Sequence, residues 1–181
     1  MRYLWKALSA STYQFFGCTL SIVNQLMAEL LVWRDQWLLH IDPMDEDHKE
    51  MVRLLNRLAD NVKHPIDTDK NHPLIDHQDI SVHEIVLIRF DALITHIRKH
   101  FAREEEFMSS ISCPDFLEHK REHTVQMSYF TSLRCTFSNG CANNLDQEVL
   151  HEIKMWFLDH VFGEDQEYAN FFRESALSKD K

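Results

Sequence analysis

Four stretches of the chain repeat apolar residues three and four positions apart, the spacing of one face of an α-helix. The first stripe runs Met44, Met51, Val52, Leu55, Leu58 and Val62, opened by Asp42 as an N-cap with Pro43 behind it. The second runs Ile85, Ile88 or Arg89, Leu93, Ile97 and Met108, and Ser81 with Glu84 has the spacing of a capping box. The third begins at Cys113–Pro114 and continues through Phe116, Met127, Phe130, Leu133 and Phe137. The fourth reads Leu145, Val149, Ile153 and Trp156, and Gly163 interrupts it before DQEYANFF. KHPIDTDKNHPLIDHQDI (63–80), polar with two prolines, reads as a loop. SNGCANN (138–144) ends the third stretch, with Gly140 as breaker and Asn144 as the next cap. The expected fold is all-α, an antiparallel up-down-up-down four-helix bundle.

Every stripe has polar intruders. His48 sits on the first, His100 and Glu104 on the second, His119 and His123 on the third, His160 on the fourth. In an antiparallel bundle the start of the first and third helices shares one end with the finish of the second and fourth. At about 1.5 Å rise per residue, all six side chains fall within roughly two turns of one level. A single histidine on an apolar face is most often a core residue with a hydrogen-bond partner. Five at one level would repel if charged, and would compete for few partners if neutral. A metal accepts every imidazole lone pair at once and removes that conflict.

Composition changes the picture in one direction. Three glycines and four prolines in 181 residues favour long helices over a turn-rich β fold, and the length suits one domain. A formal net charge of −10 argues against a nucleic-acid surface. Twelve histidines are an excess that asks for an explanation. Cys18, Cys113, Cys135 and Cys141 lack CxxC spacing, so they indicate neither a zinc ribbon nor a thioredoxin-like site. They fit reduced thiols and a cytoplasmic location. No run of about 18 apolar residues predicts a membrane span, and FFGCTLSIV (15–23) makes only a weak export signal.

The donor set narrows the metal. Five imidazoles and a carboxylate exceed what one tetrahedral zinc uses, whereas two octahedral ions offer enough positions and suit iron. A second carboxylate is then expected, and Asp165 in HVFGED (160–165) is the candidate. It lies five residues past His160, about 140° beyond a full turn of a regular helix. A local widening or a helix end near Gly163 would bring it in.

A lone His in DEDH (45–48), His100/Glu104, His119/His123 and His160/Asp165 together resemble the ligand signature of the hemerythrin family. WRDQWLLHIDPMDEDH (33–48), HFAREEEFM (100–108) and WFLDHVFGEDQEY (156–168) agree, and the likeness is nearest to single-domain bacteriohemerythrins. The resemblance implies a four-helix domain over 28–174, an N-terminal extension over 1–27 and a disordered tail over 175–181. It implies two non-haem iron ions with an oxo or hydroxo bridge. His119, His123 and His160 would bind one and His48 and His100 the other, with Glu104 and Asp165 bridging. That count leaves one open position, on the iron with two histidines, as O₂ binding requires. Trp156, Phe157 and Val161 would form the apolar wall of the O₂ pocket, a role compatible with plain core packing. Phe157 stands where Leu is common in the family.

His96, four before His100, competes for the ligand role, but Glu104 follows His100 by four, so His96 is expected at the surface or behind the ligands. His64, His72, His77 and His83 are expected to be solvated, as are the acidic residues around Glu104 in REEE (103–106). Three functions compete. The preferred one is reversible O₂ binding by a non-enzymatic carrier, store or delivery protein. A di-iron oxidase, peroxidase or nitric-oxide-handling enzyme is the second, but such carboxylate-rich enzymes carry Glu-x-x-His on two helices, unlike this histidine-rich set. An O₂ or redox sensor is the third, for which an attached output domain would be expected and little length remains. O₂ is the expected ligand, and an oxygen-consuming enzyme or a second copy of the chain stays open as partner.

Overall fold

The computed structural model describes residues 29–63, 81–138 and 145–179. The N-terminal extension (1–27), the connection with His64, His72 and His77, and Gly140 with Asn144 lie outside them. A 3₁₀ turn at Asp35–Trp37 leads into α1 (Asp42–Lys63). Then follow α2 (Val82–Ser110), α3 (Phe116–Ser138), α4 (Gln147–Asp159), a single π turn (His160–Glu164) and α5 (Asp165–Lys179). The last three form one rod, so four antiparallel rods make the bundle, as the stripes predict. Among the described residues there is no strand, and no helix is long and apolar enough to cross a membrane.

Local signals set the helix ends. The capping box at α2 forms as expected: Glu84 N–H donates to Ser81 Oγ at 3.2 Å, and Ser81 N–H to Glu84 Oε2 at 2.8 Å. At α4 the cap is Asp146, whose Oδ1 accepts from Val149 N–H at 2.9 Å, and not Asn144. The helix starts later than expected because Leu145 before the cap and Leu150 inside it both sink into the core, a hydrophobic staple. At α1 Asp42 is the first helical residue rather than the residue before it, and Asp45, inside the first turn, reaches back to the preceding chain. Its buried carboxylate accepts from Leu39 N–H at 2.7 Å and Ile41 N–H at 3.2 Å. The bend before α1 also holds His40 at φ 60°, and Ser112 at φ 54° makes the tight turn between α2 and α3. At the far end α5 stays helical through Lys179, where a disordered tail from residue 175 was expected. Exposed as it is at Leu177, this turn continues an established helix and needs no new nucleus.

The core has two parts. Leu55, Leu58, Phe90, Leu93, Phe130 and Ile153 belong to the larger cluster, in which Phe90 lies 5.6 Å from Phe137 between ring centroids. The stripe of α2 therefore passes through Phe90, while Ile88 is 61% exposed. Phe90 continues the steps of three and four that end at Ile97, and Ile88 falls off that face. A smaller cluster contains Leu39, Ile41, Met44, Met108, Cys113, Tyr168 and Ala169. On every rod, the intruding histidines and carboxylates lie between residues of these two clusters.

Asp45→Ala removes the acceptor for two buried N–H groups at the entry to α1. We expect a loss of about 2–4 kcal/mol of stability, measured by denaturant unfolding. A loss under half a kcal/mol would mean that water reaches both donors.

Candidate metal centre

His48, His100, Glu104, His160 and Asp165 are at most 1% exposed, His123 2% and His119 7%. All seven meet in one layer. The Nε2 atoms of His48 and His100 stand 3.3 Å apart. Glu104 Oε2 lies 3.2 Å from His123 Nε2, 3.4 Å from His119 Nε2, 3.5 Å from His100 Nε2 and 3.9 Å from His160 Nε2. Asp165 faces both ways: Oδ2 is 3.0 Å from His48 Nε2, and Oδ1 is 3.5 Å from His160 Nε2 and 3.8 Å from His119 Nε2.

Asp165 reaches the layer through the π turn. Its N–H bonds to His160 O five residues back, so residue 165 comes round toward the face of residue 160. This is the widening that the HxxxxD spacing requires. Gly163 does not end the helix, and the space where its Cβ would stand is open.

Of these proximities only that between the Nε2 atoms of His48 and His100 is a hydrogen bond. Both oxygens of Glu104, both of Asp165, and Nε2 of His119, His123 and His160 are buried without a hydrogen-bond partner. Orphaned groups of this kind each cost of the order of 1–3 kcal/mol. Burial, and next to it His100, holds His48 well below the usual imidazole range, and burial brings His160 to about 4. Both are therefore neutral donors at neutral pH. Burial pushes Glu104 up, but the imidazoles of His100, His119, His123 and His160 outweigh it and hold the carboxyl well below its usual range. Asp165 moves the other way, raised well above the usual range by burial and by Glu104. Buried carboxylates beside imidazoles with unpaired inward nitrogens make a cation-binding set, and the residues fit one: His100, Glu104, His160 and Asp165 converge closely enough to share one ion, as do Glu104, His119 and His123.

Of the three residues expected to wall the pocket, Phe157 and Val161 are fully buried and Trp156 is partly buried. Trp156 stacks on His160 at 5.7 Å, and Phe157 packs edge-on to His48 at 6.3 Å. Sequence reasoning missed Trp37, buried against Phe157 at 6.0 Å, and Phe101, stacked on His123 at 3.7 Å. It also missed an outer layer of carboxylates. Glu164 Oε2 meets His160 Nδ1 at 3.0 Å, Glu105 Oε1 meets His123 Nδ1 at 3.2 Å, and Asp47 Oδ2 lies 3.5 Å from His100 Nδ1. Glu105 is therefore not merely solvated, and Arg103 of the same run binds Asp47, its Nε donating to Oδ2 at 2.7 Å. The available signal was adjacency: each of these carboxylates neighbours a core-facing residue in the chain. His96 lies behind the layer as expected, its Nε2 2.9 Å from Asp47 O.

A helical bundle with a buried layer of histidines and carboxylates defines a metal-binding four-helix protein. The chain belongs to the hemerythrin family: the "Hemerythrin HHE cation binding domain" pattern matches residues 39–172. It is 30% identical to a bacteriohemerythrin of Stenotrophomonas maltophilia over 141 residues, 78% of this chain and 80% of the relative. It is 24% identical to one of Clostridium acetobutylicum, covering 78% and 100%. A crystal structure of wild-type hemerythrin superimposes with a TM-score of 0.63 at 23% identity, covering 78% and 96% of the two chains, which shows the shared fold.

Three outcomes follow for stability. Metal removal leaves the orphaned layer in the core, so the metal-free protein should melt markedly lower than the loaded one. In the metal-free protein His160 titrates below its ordinary 6.5, so as pH falls the unfolded chain binds this proton first. Its contribution is complete above about pH 6.5 and is lost toward pH 4, up to about 3 kcal/mol. Asp165, with its raised value, penalises the same state increasingly above the usual carboxylate range. Thermal unfolding of both forms from pH 7 to 4.5 checks this, and identical curves would mean the layer does not assemble. Gly163→Ala should keep metal content and raise stability by up to about 1 kcal/mol, since a helical Cβ there meets nothing.

Proposed function

We propose that the protein binds O₂ reversibly at two non-haem irons joined by an oxo or hydroxo bridge. In this reading His119, His123 and His160 would hold one iron, His48 and His100 would hold the other, and Glu104 and Asp165 would be shared between them. The observation that carries it is the position of Asp165, whose Oδ2 faces His48 while Oδ1 faces His160 and His119. A carboxylate between two imidazole groups suits a pair of ions better than one. The bound irons would supply the electrons for O₂ binding. The chain would supply the imidazole donors, an open position on the two-histidine side, and an apolar wall of Trp156, Phe157 and Val161 that keeps protons away.

We read the protein as a cytoplasmic carrier, store or delivery protein and not as an enzyme. The chain's Glu-x-x-His, Glu148 with His151, is exposed on α4 and away from the layer. A recipient enzyme or a sensing partner is compatible with this reading, and so is self-association.

Protein reconstituted anaerobically with ferrous iron should hold about two irons per chain and little zinc. Its colourless reduced form should turn coloured under O₂ and bleach again under argon. His123→Ala should lower iron content and O₂ binding together, whereas Phe157→Ala should keep the iron but speed decay to an oxidised, unresponsive form. Rapid O₂ consumption with a reductant and no reversible spectrum would favour the enzyme. One iron per chain, or normal iron and O₂ binding in His123→Ala, would overturn the assignment.

A further inference from the structure

Each inward imidazole carries a second ring nitrogen, and what meets it differs between the two sides of the layer. On the side of His119, His123 and His160, two rings are gripped by carboxylates. His160 Nδ1 meets Glu164 at 3.0 Å, and Glu164 also accepts from the neutral amide of Gln126 at 2.8 Å. His123 Nδ1 meets Glu105 at 3.2 Å, and the other oxygen of Glu105 binds the exposed Lys120 at 2.6 Å. Phe101, parallel to the His123 ring within 5°, fixes its plane.

The opposite side is poorly supported. His100 Nδ1 has Asp47 at 3.5 Å, a longer contact than either grip on the other side, and both oxygens of that carboxylate also accept from the guanidinium of Arg103. His48 Nδ1 is buried with no hydrogen-bond partner. A carboxylate that accepts Nδ1–H fixes the tautomer, keeps the Nε2 lone pair inward and makes the ring a stronger donor. An imidazole without such an acceptor must bury an unsatisfied N–H to offer Nε2 to a metal.

We propose that the centre loads in a fixed order. The side of His119, His123 and His160 takes its ion first and holds it more tightly, giving a stable one-ion form before the side of His48 and His100 fills. Glu164 and Glu105 are the positioning residues that create the difference. The order rests on the two-iron reading above.

The test is anaerobic titration of the metal-free full chain with ferrous iron, followed by calorimetry and by metal analysis after dialysis. Two resolved steps are expected, the first ending at one ion per chain and the second at least about tenfold weaker. Glu164→Ala should weaken the first step by about 10- to 100-fold and spare the second. Glu164→Gln, which keeps an acceptor oxygen, should recover part of that loss, and Asp47→Ala should leave the first step unchanged. Circular dichroism of each metal-free variant verifies its helix content, and the glutamine variant carries the test if the alanine variant fails to fold. Uptake of both ions in one step overturns the order alone, as does an Asp47→Ala effect on the first step equal to that of Glu164→Ala. A chain that stops at one ion overturns the two-iron reading and the order with it.

Discussion

Seven polar side chains share one buried layer, and everything around them answers to that. Beyond the His48–His100 pair, hydrogen bonds among them do not form, although the distances are short, because every imidazole presents Nε2 and every carboxylate its oxygens to the same interior space. Without cations the layer is a fault across the core. It divides the apolar interior into a cluster around Leu55, Phe90 and Phe130 and a cluster around Met44, Met108 and Tyr168. With cations, the same groups tie all four rods together at one height.

Much of this was legible in the chain. Spacings of three and four placed His48, His100, Glu104, His119, His123 and His160 on buried faces, and antiparallel packing brought them level. Asp165 was harder, because regular helical geometry points it away from His160 and only a π turn resolves the conflict. The caps were misplaced where several residues of capping type stand close together. Asp45 is set apart from Asp42 by burial and hydrogen bonding, and Asp146 by the apolar residues on either side of it. Ile88 and Phe90 differ in the same way, since the aromatic finds Phe130 and Phe137 across the bundle.

The outer carboxylates were illegible for a different reason. Asp47, Glu105 and Glu164 sit beside core-facing residues in runs of acidic sequence, where a solvated side chain is the ordinary expectation. What gives each its role lies on a distant segment or one turn away: Arg103 for Asp47, His123 and Lys120 for Glu105, Gln126 and His160 for Glu164. Chain adjacency keeps the inner and outer layers in step, so a backbone shift that moves Glu104 also moves Glu105.

The π turn has a reach beyond the carboxylate it delivers. One surplus residue in a helix advances everything downstream by about 100° of phase. Tyr168 and Ala169 lie inside the smaller cluster only in that advanced phase, and Arg173 donates to Leu39 O at 3.0 Å from the same rod. Excising the extra residue would return the rod to an unbroken spiral and swing this seam toward water. The closure of the bundle's far end is therefore written in the same irregularity as its chemistry, and neither can drift without the other.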